Sequence, residues 1–131
     1  MSRHARSPEE IQTLFIAAIG NHDLDGLMAL YDEDAVMVPS PGAAPVRGLA
    51  LIREALAGLL ALEPEDAALE TIYCLRHDEL ALMRSAWRFT GTGPDGRRSL
   101  ISGSGTEVMR RLPDGRWVQI LDNPWGGDPL S

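Results

Sequence analysis

Between residues 67 and 123 the apolar pattern of this chain repeats every second residue, and only short joints interrupt it. Ala67–Arg76, Leu80–Thr92, Arg97–Leu112 and Arg116–Asn123 are rich in β-branched, aromatic and aliphatic residues and read as four strands. The joints are His77-Asp78-Glu79, Gly93-Pro94-Asp95-Gly96 and Pro113-Asp114-Gly115. Pro-Asp-Gly is turn chemistry: proline presets the first corner and glycine accepts the left-handed position. Joints this short leave no room for a crossover, so neighbouring strands run antiparallel. Such a meander must have one face covered, and the cover has to come from the first half of the chain.

That half has the period of helices. Ser7-Pro8-Glu9-Glu10 is a capping box with proline at the first helical position. Ile11, Leu14, Phe15, Ala18 and Ile19 follow at helical spacing, and Gly20 closes the element. A second, shorter helix carries Leu24, Leu27, Met28 and Tyr31 on one face, with Asp23 near its start. Ala35 to Val38 reads as a short strand, and the three prolines of Pro39 to Pro45 forbid a regular element. A third helix is expected from Leu49 to Leu62, with Ile52, Leu56, Leu59 and Leu60 on its apolar stripe and Glu63-Pro64 beyond its end. Three helices packed on an antiparallel sheet make an α+β fold. Residues 7–126 are expected to form one domain, with 1–6 and 127–131 as tails. Gly103 and Gly105 suggest a bulge or bend in the third long strand. A bent sheet around a helix leaves a concave space, where a site is expected.

Composition narrows the chemistry. At 131 residues, 44% hydrophobic and 24% charged, the chain is globular stock for one core. Cys74 is the only cysteine, which excludes an internal disulfide and any multi-cysteine metal site. A net charge of −7 makes nucleic acid an unexpected partner. No apolar run spans a bilayer and no secretory pattern is present, so no membrane partner and a cytoplasmic location are expected. All twelve basic residues are arginine, which removes lysine Schiff bases and a Walker-A phosphate site. Gly91-Thr92-Gly93-Pro94-Asp95-Gly96 spells a dinucleotide fingerprint, but a turn and a strand follow it where a helix N-terminus is required. The aspartates from Asp23 to Asp34 hint at a calcium loop, yet Leu27 and Met28 fall where an oxygen ligand and a glycine would be needed. Ser102-Gly103-Ser104-Gly105 lacks the spacing of a nucleophile elbow and lies within a strand. His4, His22 and His77 offer no pair at ligand spacing, so no metal and no cofactor are expected. Cys74 and His77 are read as structural or surface residues.

What remains is carboxylate, amide and phenol. Trp87 and Phe89 share a parity with Ala81 and Met83, so that face of the strand looks inward. Arg84 and Arg88 take the other face together with Leu80 and Leu82, a mixed surface suited to a second subunit. The last strand is apolar until Asp122-Asn123, and Pro124-Trp125-Gly126 halts it. A carboxylate at the mouth of an apolar pocket has its pKa raised and becomes a candidate general base. Asn123 could donate to a developing oxyanion; equally, Asp122 and Asn123 could cap the turn through side-chain to backbone bonds. Tyr31, Trp87 and Trp125 are the candidate pocket aromatics, with core packing the competing role for Tyr31 and Trp87.

These residues together resemble the SnoaL-like, ketosteroid-isomerase-like branch of the nuclear transport factor 2-like superfamily. The phrases that carry the likeness are Leu30-Tyr31-Asp32-Glu33-Asp34-Ala35-Val36, Val46-Arg47-Gly48 and Thr106-Glu107-Val108-Met109-Arg110-Arg111. Asp114-Gly115-Arg116-Trp117 and Leu121-Asp122-Asn123-Pro124-Trp125-Gly126 complete it. The resemblance implies a cone-shaped, cystatin-like α+β fold with a deep pocket, and a homodimer through the outer face of the sheet. It also implies that Asp122 matches the catalytic aspartate that SnoaL-like cyclases place on the last strand.

Two functions fit. One is a cofactor-independent isomerase, cyclase or hydrolase acting on a small apolar carbonyl compound, with Asp122 as base and Asn123, Tyr31 and a water stabilising the oxyanion. The other is a non-catalytic module that binds an apolar ligand or serves dimerisation.

Overall fold

The computed structural model describes residues 4–127. Helix α1 (Pro8–Gly20) starts from Ser7, whose extended backbone and Oγ, accepting from the Glu10 amide at 3.1 Å, form the expected cap. The reciprocal bond reaches one residue further out than a capping box predicts: Glu10 Oε1 accepts from the Arg6 amide at 3.0 Å. Helix α2 (Leu24–Met28) is capped by Asp23, whose Oδ1 accepts from the Gly26 amide at 2.9 Å.

Tyr31 departs from its helical assignment. It opens strand β1 (Tyr31–Met37), because pairing with the last strand captures its backbone against local periodicity. The sequence expectation of a strand at Ala35 to Val38 covered only the end of this element. A two-residue strand, β2 (Val46–Arg47), returns antiparallel to β1 and was not foreseen. Helix α3 (Leu49–Ala61) follows from Gly48. Strands β3 (Glu65–His77), β4 (Leu80–Thr92), β5 (Arg98–Arg111) and β6 (Trp117–Asn123) form the expected meander.

The whole is α+β, with helices on a curved, unclosed sheet of six strands in the order β2-β1-β6-β5-β4-β3. β1 runs parallel to β6, so the sheet is mixed rather than purely antiparallel. Ile11, Leu27, Leu30, Ile52, Met83 and Met109 are fully buried between helices and sheet. Each such side chain contributes about 1.5–3 kcal/mol of burial free energy. Ala5, in the segment expected to be a tail, is also buried, and its carbonyl accepts from the Trp117 amide at 2.9 Å. The outer face of the sheet leaves Leu75, Leu80, Leu82, Leu100 and Leu121 exposed. Among the described residues, no helix is long and apolar enough to cross a membrane.

The glycines of β5 do not bulge it. The β4–β5 ladder runs without a register shift from Leu80 opposite Arg110 to Thr92 opposite Arg98. Gly103 instead seats the Trp87 ring, where an added Cβ would lie 2.5 Å from Cζ2, and Gly105 makes room for the Ser85 hydroxyl. The irregularity falls between β5 and β6: Met109 faces Gln119, but Val108 faces Leu121, so Ile120 is an extra residue in β6.

Candidate active site

The bulge at Ile120 decides the chemistry of the cavity. Strict alternation from Trp117 and Gln119 would turn Leu121 inward and Asp122 to solvent. The extra residue reverses that, so Leu121 is exposed and Asp122 is buried opposite Glu107 of β5. Both carboxyl groups line an apolar cavity of about 450 Å³ together with Tyr31, Met109, Gln119 and Trp87.

Asp122 is held by a phenol. The Tyr31 hydroxyl donates to Asp122 Oδ2 at 2.6 Å, and both side chains are buried. Burial raises the Asp122 carboxyl to about 6, against the lowering effect of the Tyr31 hydrogen bond. Burial also holds the Tyr31 hydroxyl well above its ordinary value, and the neighbouring Asp122 charge adds to the rise. Glu107 is held by an alcohol: the Ser85 hydroxyl donates to its Oε1 at 2.5 Å, while Oε2 is buried with no partner among the described residues. Burial raises Glu107 to about 8; the Ser85 bond opposes the shift and the Asp122 charge reinforces it. Near neutral pH the pair therefore holds one ionised and one protonated carboxyl, which is how adjacent groups divide into base and acid.

The candidate residues from sequence separate here. Asp122, Tyr31, Trp87 and Trp125 all line the cavity. Asn123 does not: its Oδ1 accepts from the Trp125 amide at 3.2 Å, the turn-capping role that had stood as the alternative to oxyanion binding. Tyr31 spends its hydroxyl on Asp122, not on a free position in the cavity. Trp87 donates from Nε1 to the Pro124 carbonyl at 2.8 Å, stacks on Phe89 and meets Trp125 edge-on, with ring centroids 5.0 Å apart in the second pair. Glu107 was missed as a functional residue. Its signal is the inward parity it shares with Met109, since a carboxylate at an inward strand position is uncommon without a partner.

Among the described residues, no group of three or more His, Cys, Asp or Glu side chains is arranged to hold a metal. The turn at Gly93–Gly96 closes the β4–β5 hairpin through a Gly96 amide bond to the Gly93 carbonyl.

Comparison with known proteins agrees with this architecture. A ketosteroid isomerase-like protein from Erwinia carotovora atroseptica is 22% identical at a TM-score of 0.72, over 88% of this chain and 89% of that one. A conserved protein from Planctomyces limnophilus is 19% identical at 0.75, over 88% and 89%. An NTF-2 like protein of unknown function from Shewanella oneidensis is 16% identical at 0.73, over 88% and 93%. At such identities these likenesses speak for the fold. No match was found among curated proteins. The SnoaL-like domain family matches residues 13–120, and the chain belongs to that family.

Proposed function

We propose that this chain is a cofactor-independent proton-transfer enzyme of the isomerase or cyclase type, acting on a small apolar carbonyl compound. The observation that carries the reading is the pairing of Asp122 and Glu107 across β5 and β6 on the wall of an apolar cavity, with no cation beside either among the described residues. Asp122 takes a proton from the carbon next to the carbonyl, and the electron pair moves onto the carbonyl oxygen. Protonated Glu107 donates a hydrogen bond to the enolate oxygen as charge develops there. Return of the proton from Asp122 to a different carbon gives an isomer; attack of the enolate carbon on a second carbonyl of the same molecule, whose oxygen takes up the electron pair and then the proton from Asp122, gives a ring. Tyr31 keeps the Asp122 carboxylate ionised and oriented.

The test is turnover of an enolisable ketone and its pH profile. Rates should rise with pH through about 6 as Asp122 ionises and fall through about 8 as Glu107 loses its proton. Ligand binding without turnover, unaffected by Asp122→Asn, would make the chain a binding module instead.

The outer face supports a homodimer, because Leu75 and Leu100 are 60% and 66% exposed on the side of the sheet the helices leave open. Leu82→Glu with Leu100→Glu should convert a dimer to a monomer in sedimentation. The one free thiol, Cys74, suits a reducing cytoplasm.

A further inference from the structure

Gly58 is the glycine of this chain that lacks a local reason. Gly42, Gly48, Gly96 and Gly115 have positive φ, Gly20 is the last residue of α1, and at the remaining glycines an added Cβ would come within 3.2 Å of a neighbouring atom. Gly58 sits inside α3 without a positive φ, and a Cβ there would meet nothing within 4 Å. Glycine is second only to proline in its cost to a helix interior, so neither packing nor backbone geometry accounts for it.

Its position in the cavity does. Ala55, Gly58, Leu59 and Leu62 follow at the spacing of one helix face, and all four line the cavity that holds Asp122 and Glu107. Gly58 is at the same time exposed, as are Pro39, Ser40 and Pro41 of the loop after β1, which line the same space. Residues that both line a cavity and face solvent mark its mouth. The cavity is elongated: Glu107 and Trp87 both line it, and Glu107 is four positions along β5 from Gly103, the partner of Trp87, or about 13 Å at strand rise.

We propose that Gly58 is the gauge of this mouth. The missing side chain leaves a channel through which the far end of an elongated apolar ligand reaches solvent while its carbonyl end stays at the carboxyl pair. Residue 58 thereby sets the longest ligand the site accepts. The inference rests on the cavity taking an apolar carbonyl compound, as proposed above, but not on Asp122 acting as a base.

Two linear ketones probe it, methyl pentyl ketone and methyl nonyl ketone, titrated calorimetrically into the full chain. The native protein should bind the longer one more tightly, because more apolar surface leaves water. Gly58→Leu should weaken the longer ketone at least about tenfold and leave the shorter within about twofold. Gly58→Ala should give a smaller length-dependent loss while raising the melting temperature by about 4 °C through helix propensity. It is the variant to rely on if the leucine protein misfolds. Equal losses for both ketones, or no loss for either, would overturn the gauge. Failure of the native protein to bind both ketones would overturn the gauge and the ligand class together. Asp122→Asn separates the two readings: the length rule should persist in it even where turnover is abolished.

Discussion

Carboxylates at the surface of this protein and carboxylates in its cavity live by different electrostatics. Outside, arginines meet several of them: Arg111 grips Glu79 with two bonds of 2.6 and 2.7 Å, Arg98 meets Glu65 at 2.7 Å, and Arg110 meets Asp32 at 3.1 Å. The Arg111 hydrogen bond holds Glu79 below its ordinary value. Inside, the side-chain partners of Asp122 and Glu107 among the described residues are a phenol and an alcohol, and burial moves both carboxyls upward. Among the described residues, no arginine is set against Asp122 or Glu107, and that keeps both buried carboxyls titratable. A guanidinium beside either would hold it ionised through the whole neutral range and end the division into acid and base.

The sharpest way to break this contrast is Asp122→Asn. Removal of the proposed base should cut turnover about 10²- to 10⁴-fold, with the far-ultraviolet circular dichroism spectrum unchanged. An unchanged rate would end the catalytic reading.

Glu107→Gln comes next, through stability. Folded Glu107 holds its proton up to about 8, whereas the unfolded chain releases it near the ordinary 4.5. The folded state therefore binds more protons across that window, and its stability falls as pH rises through it. The amide cannot ionise, so the variant should outlast the native protein in urea at pH 9 by several kcal/mol and gain far less at pH 5. It should also lose the alkaline limb of the rate profile.

A smaller effect is expected from Tyr31→Phe. The phenol lowers the Asp122 value, so its loss should move the acid limb from about 6 upward by about one pH unit, visible in kcat/KM against pH. Glu79→Gln, at the exposed end of the comparison, should leave both the rate profile and the melting temperature unmoved, because an exposed ion pair is screened by water. A large effect there would mean that the surface pairs are not the passive set described above.

Much of the fold was legible because it rests on near-neighbour physics. The limits of β4 agree residue for residue with the period-two run from Leu80 to Thr92, since Asp78 and Gly96 supply the left-handed turn positions that bound it. Ser7 and Asp23 cap their helices for the same local reason. Tyr31 was misplaced in a helix because its spacing from Leu27 and Met28 is helical, and only the partner strand β6 overrides that. β2 is two residues long and has no periodicity to read. Glu107 stayed hidden inside a phrase otherwise ordinary for a strand, and its isolation from the described arginines is a fact of three dimensions.

The sequence by itself determined an α+β chain with a four-strand meander, a lysine-free set of chemical groups and an aspartate near the end of the last strand. Only the tertiary structure decided that the aspartate is buried. Alternation is a local property, and counted from Trp117 it sends Asp122 to solvent. β6 must satisfy the antiparallel ladder of β5 on one edge and the parallel ladder of β1 on the other, and both pairings include a register irregularity. In the β5 ladder that irregularity takes up Ile120 and turns the carboxylate inward, beside Tyr31 and Glu107.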